Sequence, residues 1–370
     1  MWKLLGAILV IVLSLWFIFS LPVVPSHSAS FWQAESWMQK DSTLPETIPS
    51  RVLALTDLPP LEPAPTPDIL LAAIQKSKEV GCDGAVLTYS WPSLEPRPGD
   101  LTLEELKNGI VINKGRVLFL GIQVLNTTVK DLPTDLQTKR FDDPQVIERF
   151  QSFLDALAPL LQNRVRYLSI GNESDIYLTA HPDEINAYAT FLNSAYKHAK
   201  KIAPDLIVGT TLTDAGALQP EFQQLVKNAD AHFLTYYHGQ VGVEGTFKDT
   251  TKVKEEILKL STKLDERPIV FQEIGFPAHD QISSAEKQAE FVNGVFDAWD
   301  ELNSRVPFLN YFMMYDFPES IINDQLTYYG VDDDTKPLVR FLTTLGLHQV
   351  DGTPRESWSV FEQRAKELKK

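Results

Sequence analysis

The stretch V-R-Y-L-S-I-G-N-E at residues 165–173 sets a strand-length apolar run directly before a glycine, an amide and an acid. Valine, tyrosine and isoleucine over six residues, bounded by a turn signal, read as a buried β-strand, and the acid then stands where the chain leaves the sheet. The arrangement returns in P-I-V-F-Q-E-I-G-F-P at 268–277, where Glu273 closes the run. Working outward, strands of the same kind are expected at 51–56, 84–89, 116–123, 165–170, 206–211, 231–237, 268–272 and 310–315. Amphipathic stretches separate them around 68–80, 103–112, 144–162, 183–203, 217–228, 249–264 and 284–303, with a last one near 336–346. Asp143-Pro144 and Ser283 or Ser284 mark two of the helix starts. Eight such units without a break in composition predict an α/β fold, a single (β/α)8 TIM barrel, in which the carboxyl ends of all strands surround one mouth.

The composition agrees with one large globular unit. The 370 residues are 44% hydrophobic and 22% charged, with a formal net charge of -15. That charge argues against nucleic acid or an anionic membrane face as a partner and leaves neutral polymers open. A single cysteine, Cys82, excludes an intrachain disulfide and reads as a buried thiol between a helix and a strand. No G-x-G-x-x-G follows the first strand, and neither G-x-x-x-x-G-K-[ST] nor H-E-x-x-H occurs, so nucleotide and zinc readings have no motif to rest on.

Residues 4–24 carry no charge and follow Lys3, the pattern of an export signal or a single membrane anchor. The expected organisation is therefore a signal or anchor at 1–29, a spacer or strap at 30–50, the catalytic barrel at 51–348 and a polar helical tail at 349–370. The barrel is expected to lie outside the cytoplasm, secreted, periplasmic or membrane-anchored. The proline-dense segment 56–68 falls between the first strand and its helix and reads as a long loop at the mouth.

Glu173 and Glu273 close the fourth and seventh strands, where acidic side chains from distant parts of the chain converge. One carboxyl can then donate a proton to a leaving oxygen while the other attacks, provided their environments separate their pKa values. With Asn172-Glu173 at the end of strand four and a second glutamate at the end of strand seven, the chain resembles the retaining glycoside hydrolases of the large (β/α)8 superfamily known as clan A. The resemblance implies that Glu173 is the general acid/base, Glu273 the nucleophile and Asn172 the partner of the sugar 2-hydroxyl. It also implies a tyrosine at strand six that holds the nucleophile, for which strand alternation admits one of Tyr236 and Tyr237, here Tyr237.

Further candidates surround the pair. Trp91, in the W-P-S-L-E-P segment after strand two, offers an indole face to a pyranose. His238, Gln123 and Asn126 can reach sugar hydroxyls, and Tyr315 can supply the flat surface at strand eight, where many clan members carry a tryptophan and this chain has M-M-Y-D-F. Two N-x-[ST] strings occur, N-E-S at 172–174 inside the proposed mouth and N-T-T at 126–128, the less conflicted acceptor. The function expected is that of a monomeric retaining β-glycosidase acting on a β-linked oligo- or polysaccharide, with no metal or organic cofactor in its chemistry. A transglycosylase using the same carboxylates and a noncatalytic carbohydrate-binding barrel are the alternatives. Long loops after strands one, two and six favour internal cleavage of a chain.

Overall fold

The computed structural model describes residues 44–45, 47–240, 246–330 and 336–368. The segment expected as signal or anchor, 1–29, lies outside the described residues, as does the spacer before residue 44. The strands are β1 (Val52–Leu55), β2 (Gly84–Ser90), β3 (Val117–Asn126), β4 (Val129–Lys130), β5 (Val165–Asn172), β6 (Ile207–Gly209), β7 (Thr211–Thr213), β8 (His232–Tyr237), β9 (Gly239–Gln240), β10 (Thr246–Phe247), β11 (Ile269–Gly275) and β12 (Phe308–Tyr311). One sheet runs β6-β5-β3-β2-β1-β12-β11-β8-β7, with β4 folded back antiparallel on β3, while β9 and β10 pair separately. Every pairing along that path is parallel.

The fold is thus an α/β barrel with a near-closed parallel sheet, and the expectation of eight uninterrupted strands is corrected to nine segments on the path plus β4. The extra segment comes from residues 206–211, expected as one strand, which divide at Thr210. β6 pairs with β5 while β7 pairs with β8, so the two ends of the sheet are joined through one residue. Gly209, at the end of β6, leaves room for the Phe233 ring, which would lie 2.8 Å from a Cβ there. The last strand is also displaced. It occupies 308–311 instead of 310–315, and the apolar residues beyond it go elsewhere.

Two layers of core follow from strand alternation. Inside the barrel, Val52, Ala54, Val117, Phe119, Tyr167, Phe233, Val270 and Phe308 form one buried cluster. The residues between them, such as Leu118, Leu120, Leu168 and Ile170, face the helices. Pro144–Leu161 shows why those helices form. Asp143 caps it by accepting from the Gln145 N–H at 2.9 Å, and Val146, Phe150, Phe153, Leu154, Leu157 and Leu161 recur on one buried stripe. The helix expected at 217–228 is instead two single turns, Gly216–Leu218 and Pro220–Phe222, followed by Gln223–Val226; Pro220 has no N–H to continue the first turn. Within the expected tail, Glu356–Glu367 is helical and buries Trp358 and Phe361, the latter 5.7 Å from the Phe296 ring.

A third apolar cluster sits over the carboxyl ends of the strands. Leu58 and Leu61 from the proline-dense loop meet Phe312, Met313 and Phe317, which follow β12. Helices Glu319–Tyr329 and Lys336–Leu342 complete this cap with Ile322, Leu326, Tyr329, Phe341 and Leu342. Phe341 stands edge-on to Tyr237 at 5.3 Å, so the cap rests directly on the site described next.

Candidate active site

The end of β5 and the residue that follows it carry positive φ, Gly171 at 91° and Glu173 at 44°. A side chain at Gly171 would collide with the Tyr188 hydroxyl, 2.2 Å from the position of a Cβ. At Glu173 the left-handed backbone costs about 1–2 kcal/mol, a conformation of the sort that collects at functional positions. On β11 the parallel register with β8 slips between Phe271 and Glu273. Regular alternation puts neighbours on opposite faces, whereas this irregularity lets Gln272 and Glu273 both enter the barrel mouth. Their side chains touch there, the Gln272 amide donating to Glu273 Oε1 at 3.1 Å.

Hydrogen bonds then tie Glu273 to Asn172, the residue before Glu173. Gln272 Nε2 also donates to Asn172 Oδ1 at 2.8 Å, and the Asn172 amide lies 3.4 Å from Asn126 Oδ1. Asn126 Nδ2 in turn reaches the Tyr329 hydroxyl at 3.2 Å, joining the network to the cap. Tyr237 donates to Glu273 Oε2 at 2.8 Å. Glu173 accepts at both oxygens, from Thr235 Oγ1 at 2.6 Å and from Thr127 Oγ1 at 3.1 Å.

Burial sets the electrostatics. Glu173 is 0% and Glu273 5% exposed. Loss of water pushes the Glu173 carboxyl well above the usual range, and the neighbouring charge of Glu273 pushes it further. Glu273 is raised to about 7 by burial, with the Tyr237 and Gln272 hydrogen bonds pulling the other way. Burial thus favours the protonated form of both acids, and in each two hydrogen-bond donors oppose the rise. Asp175, also buried, receives the Thr213 N–H at 2.9 Å and the Thr213 hydroxyl at 2.6 Å, which pins the helix after Glu173 to β7.

Of the residues singled out from the sequence, Glu273, Asn172, Tyr237 and Asn126 come together in this network, and Glu173 stands beside it, near enough to feel the charge of Glu273. Three others are elsewhere. Trp91 is fully buried, edge-on to Phe150 at 4.9 Å, with its indole N–H donating to Glu95 at 2.9 Å. The one-turn helix Trp91–Leu94 that begins straight after β2 carries it into the layer under Pro144–Leu161. His238 hydrogen-bonds the Tyr236 hydroxyl and the Asp249 carbonyl at 2.8 and 2.9 Å, because alternation after the inward Tyr237 sends it to the helix side. Tyr315 packs on His348, ring centroids 4.9 Å apart, beneath the Lys76 ammonium. Since β12 ends at Tyr311, strand parity does not extend to Tyr315.

Gln123 points into the barrel above Phe119 by the same parity, and its buried Oε1 has no hydrogen-bond partner among the described residues. Asn126 is 0% and Asn172 2% exposed, so neither N-x-[ST] string, including the one read as the less conflicted acceptor, is open to a glycan in the folded chain. Gln272, Thr127, Thr235 and Tyr329 were not anticipated. A polar residue inside V-F-Q-E was a visible signal for Gln272, whereas nothing local distinguishes the two threonines from ordinary strand and turn residues.

No protein-family model matches the chain, and no curated protein matches it. Solved structures do. A GH5_18 protein from Bifidobacterium longum subsp. longum superposes with TM-score 0.67 at 16% identity, over 87% of this chain and 80% of its own. A variant of that protein is known in complex with Manβ1-4GlcNAc. The GH5_18 protein of Streptomyces cattleya in complex with GlcNAc gives 0.66 at 18% identity over 87% and 81%. An exo-β-1,4-mannosidase from Opitutaceae bacterium strain TAV5 gives 0.67 at 14% over 86% and 59%. These likenesses, at 14–18% identity, show that this chain shares its barrel fold with those glycoside hydrolases over most of its length.

Proposed function

We propose that the protein is a retaining β-glycosidase whose catalytic pair is Glu173 and Glu273, on an eight-stave barrel in which β6 and β7 together form one stave. The observation that carries this reading is the meeting of the two buried glutamates, from β5 and β11, at one mouth, where Gln272 bonds both Glu273 and Asn172, the residue before Glu173, and the charge of Glu273 adds to the rise of Glu173. Glu273 attacks the anomeric carbon, held by Tyr237, while Glu173 passes its proton to the departing glycosidic oxygen. In the second step ionised Glu173 takes a proton from water, the oxygen of that water attacks the anomeric carbon, and the Glu273 ester bond breaks to release the sugar. Asn172 is placed to hold the 2-hydroxyl, and the unpaired Oε1 of Gln123 is an acceptor for a further hydroxyl.

The apolar cap over the strand ends and the near-complete burial of the pair favour a substrate end over the middle of a chain. This replaces the internal cleft expected from loop length. The names of the solved structures point the same way, one bound to Manβ1-4GlcNAc and one an exo-β-1,4-mannosidase, so β-mannosides are the first substrates to try. A dry cap also suits transfer to a second sugar in place of water, the transglycosylase alternative. The chain enters the barrel at Leu44 and Ile48, the latter packed against the interior aromatic cluster, at the end opposite the glutamates. The uncharged run at residues 4–24 supports an extracytoplasmic site. The test is proton NMR of the anomeric products from aryl β-mannosides and other aryl β-glycosides. Retained configuration in wild type, lost in Glu273→Gln, is expected; inverted product, or turnover undiminished in Glu273→Gln, overturns the assignment.

A further inference from the structure

Glu173 has both carboxyl oxygens against threonine hydroxyls, and no cationic side chain is hydrogen-bonded to it among the described residues. Thr235 lies on β8 directly opposite Glu273 in register, and its Oγ1 is 2.6 Å from Glu173 Oε1. Thr127 sits in the tight turn between β3 and β4 at φ 52°, and its N–H donates to the Asn172 carbonyl at 2.9 Å, so backbone and hydroxyl grip the same turn. All three side chains are at most 1% exposed. A hydroxyl has one proton to give and two lone pairs. Facing an ionised carboxylate, each threonine donates; facing a protonated one, either can rotate and accept. A lysine or arginine in the same place could only donate and would hold the acid ionised.

We infer that Thr235 and Thr127 are positioning residues that keep Glu173 in one place through both of its protonation states, with Thr235 the stronger partner. The inference rests on the reading of Glu173 as acid/base. That role requires the group to alternate between acid and carboxylate in each turnover, and a clamp able to serve both forms spares it a reorientation within a dry pocket. Burial raises the Glu173 carboxyl and the two hydroxyls oppose the rise, so losing Thr235 leaves the ionised form short of a partner. The step that needs ionised Glu173, attack of water on the glycosyl-enzyme, then suffers most.

The experiment uses the full-length chain with Thr235→Val, which keeps the shape without the hydroxyl, and Thr235→Ser, which restores the hydroxyl. With 2,4-dinitrophenyl β-mannoside, whose leaving group needs no acid, Thr235→Val should lower kcat by about tenfold or more while leaving the first step little changed, azide should restore turnover, and Thr235→Ser should stay near wild type. The basic limb of kcat/KM for an unactivated mannoside should move to higher pH in Thr235→Val. Independently of turnover, the carboxyl of Glu173 is followed by difference infrared titration against Glu173→Gln, and its midpoint should rise in Thr235→Val and return in Thr235→Ser. An unmoved midpoint, or equal kcat and pH limbs in Thr235→Val and wild type, overturns the clamp while leaving the glycosidase reading intact. A moved midpoint in a protein that turns over no glycoside supports the clamp and overturns that reading instead.

Discussion

The same strands build two unlike regions. Near their amino ends β3, β5, β8 and β12 supply Phe119, Tyr167, Phe233 and Phe308, rings packed with centroids 5.1–6.4 Å apart that fill the barrel. A few residues along, the inward positions are Asn126, Asn172, Thr235 and Tyr237, and Asn310, with Gln272 and Glu273 following Val270 on β11. The lower half is a solid plug and the upper half a bonded polar layer resting on it. The difference teaches how two carboxyls can be kept out of water without collapsing the barrel. Aromatic packing closes the floor, amides and hydroxyls bond to one another along the walls while Gln123 Oε1 and Asn310 Oδ1 stay without a partner among the described residues, and the acids then sit in surroundings dry enough to raise their proton affinity.

The sharpest way to break that division is to remove charge from the upper layer alone. Glu173→Gln should lower kcat/KM on a β-mannoside with a poor leaving group by roughly 10²–10⁴-fold, the range of general acid–base catalysis, and Glu273→Gln by more, since no intermediate can form. Neither should lower the midpoint of thermal unfolding, because an amide is easier to bury than a carboxylate. A variant that lost activity together with its fold would mean that the acids support the structure.

Cutting into the lower layer should do the reverse. Phe308→Ala removes a fully buried ring that touches Phe119 and Tyr167 and should cost about 3–5 kcal/mol in urea unfolding. The pH–rate profile of the protein that remains folded should keep its wild-type limbs. A shifted limb would show that the plug also sets the electrostatics of the mouth.

The two layers should also respond differently to pH. The Glu273 carboxyl is moved from the ordinary 4.5 to about 7 in the folded chain. Below pH 4.5 it is protonated whether the chain is folded or not, and the stability this group confers is fully present. Between there and about pH 7 the folded state keeps a proton that the unfolded state has lost, so that stability falls as pH rises and levels off above. The loss is on the order of 3 kcal/mol between pH 4 and pH 8. Glu273→Gln should not show it, and Glu173, raised in the same direction, should add to the wild-type slope. Parallel slopes in wild type and Glu273→Gln would place the titration elsewhere.

The contrast also explains what could be read without coordinates. Strand runs such as V-L-F-L-G-I-Q and P-I-V-F-Q carry their period in the residues themselves, and acids at their ends fall where a barrel gathers them, so the parallel α/β barrel and the Glu173/Glu273 pair were legible. Features that depend on backbone detail were not. The break at Thr210 looks like one apolar run, the register slip that brings Glu273 in beside Gln272 has no local signature, and the helix start at Trp91 turns an apparent sugar platform into core. Thr127 and Thr235 gain meaning only from what stands opposite them, a relation between strands that one strand cannot show.

The smallest test concerns neighbours on one strand end. Tyr237 and His238 are adjacent, yet Tyr237 holds Glu273 and His238 accepts from or donates to Tyr236 among the helices, beside Phe276 and Phe291. His238→Phe keeps the ring and leaves the Tyr236 hydroxyl and the Asp249 carbonyl without their partner, a loss of about 1–3 kcal/mol by the cost of buried unpaired polar groups. KM and the anomeric outcome should not move, because the side chain faces away from the substrate space that Tyr237 helps to line. A KM raised severalfold with stability unchanged would put His238 back at the mouth and would mean that β8 does not keep its alternation to the end, which would unsettle the inward placement of Tyr237 and Thr235 with it.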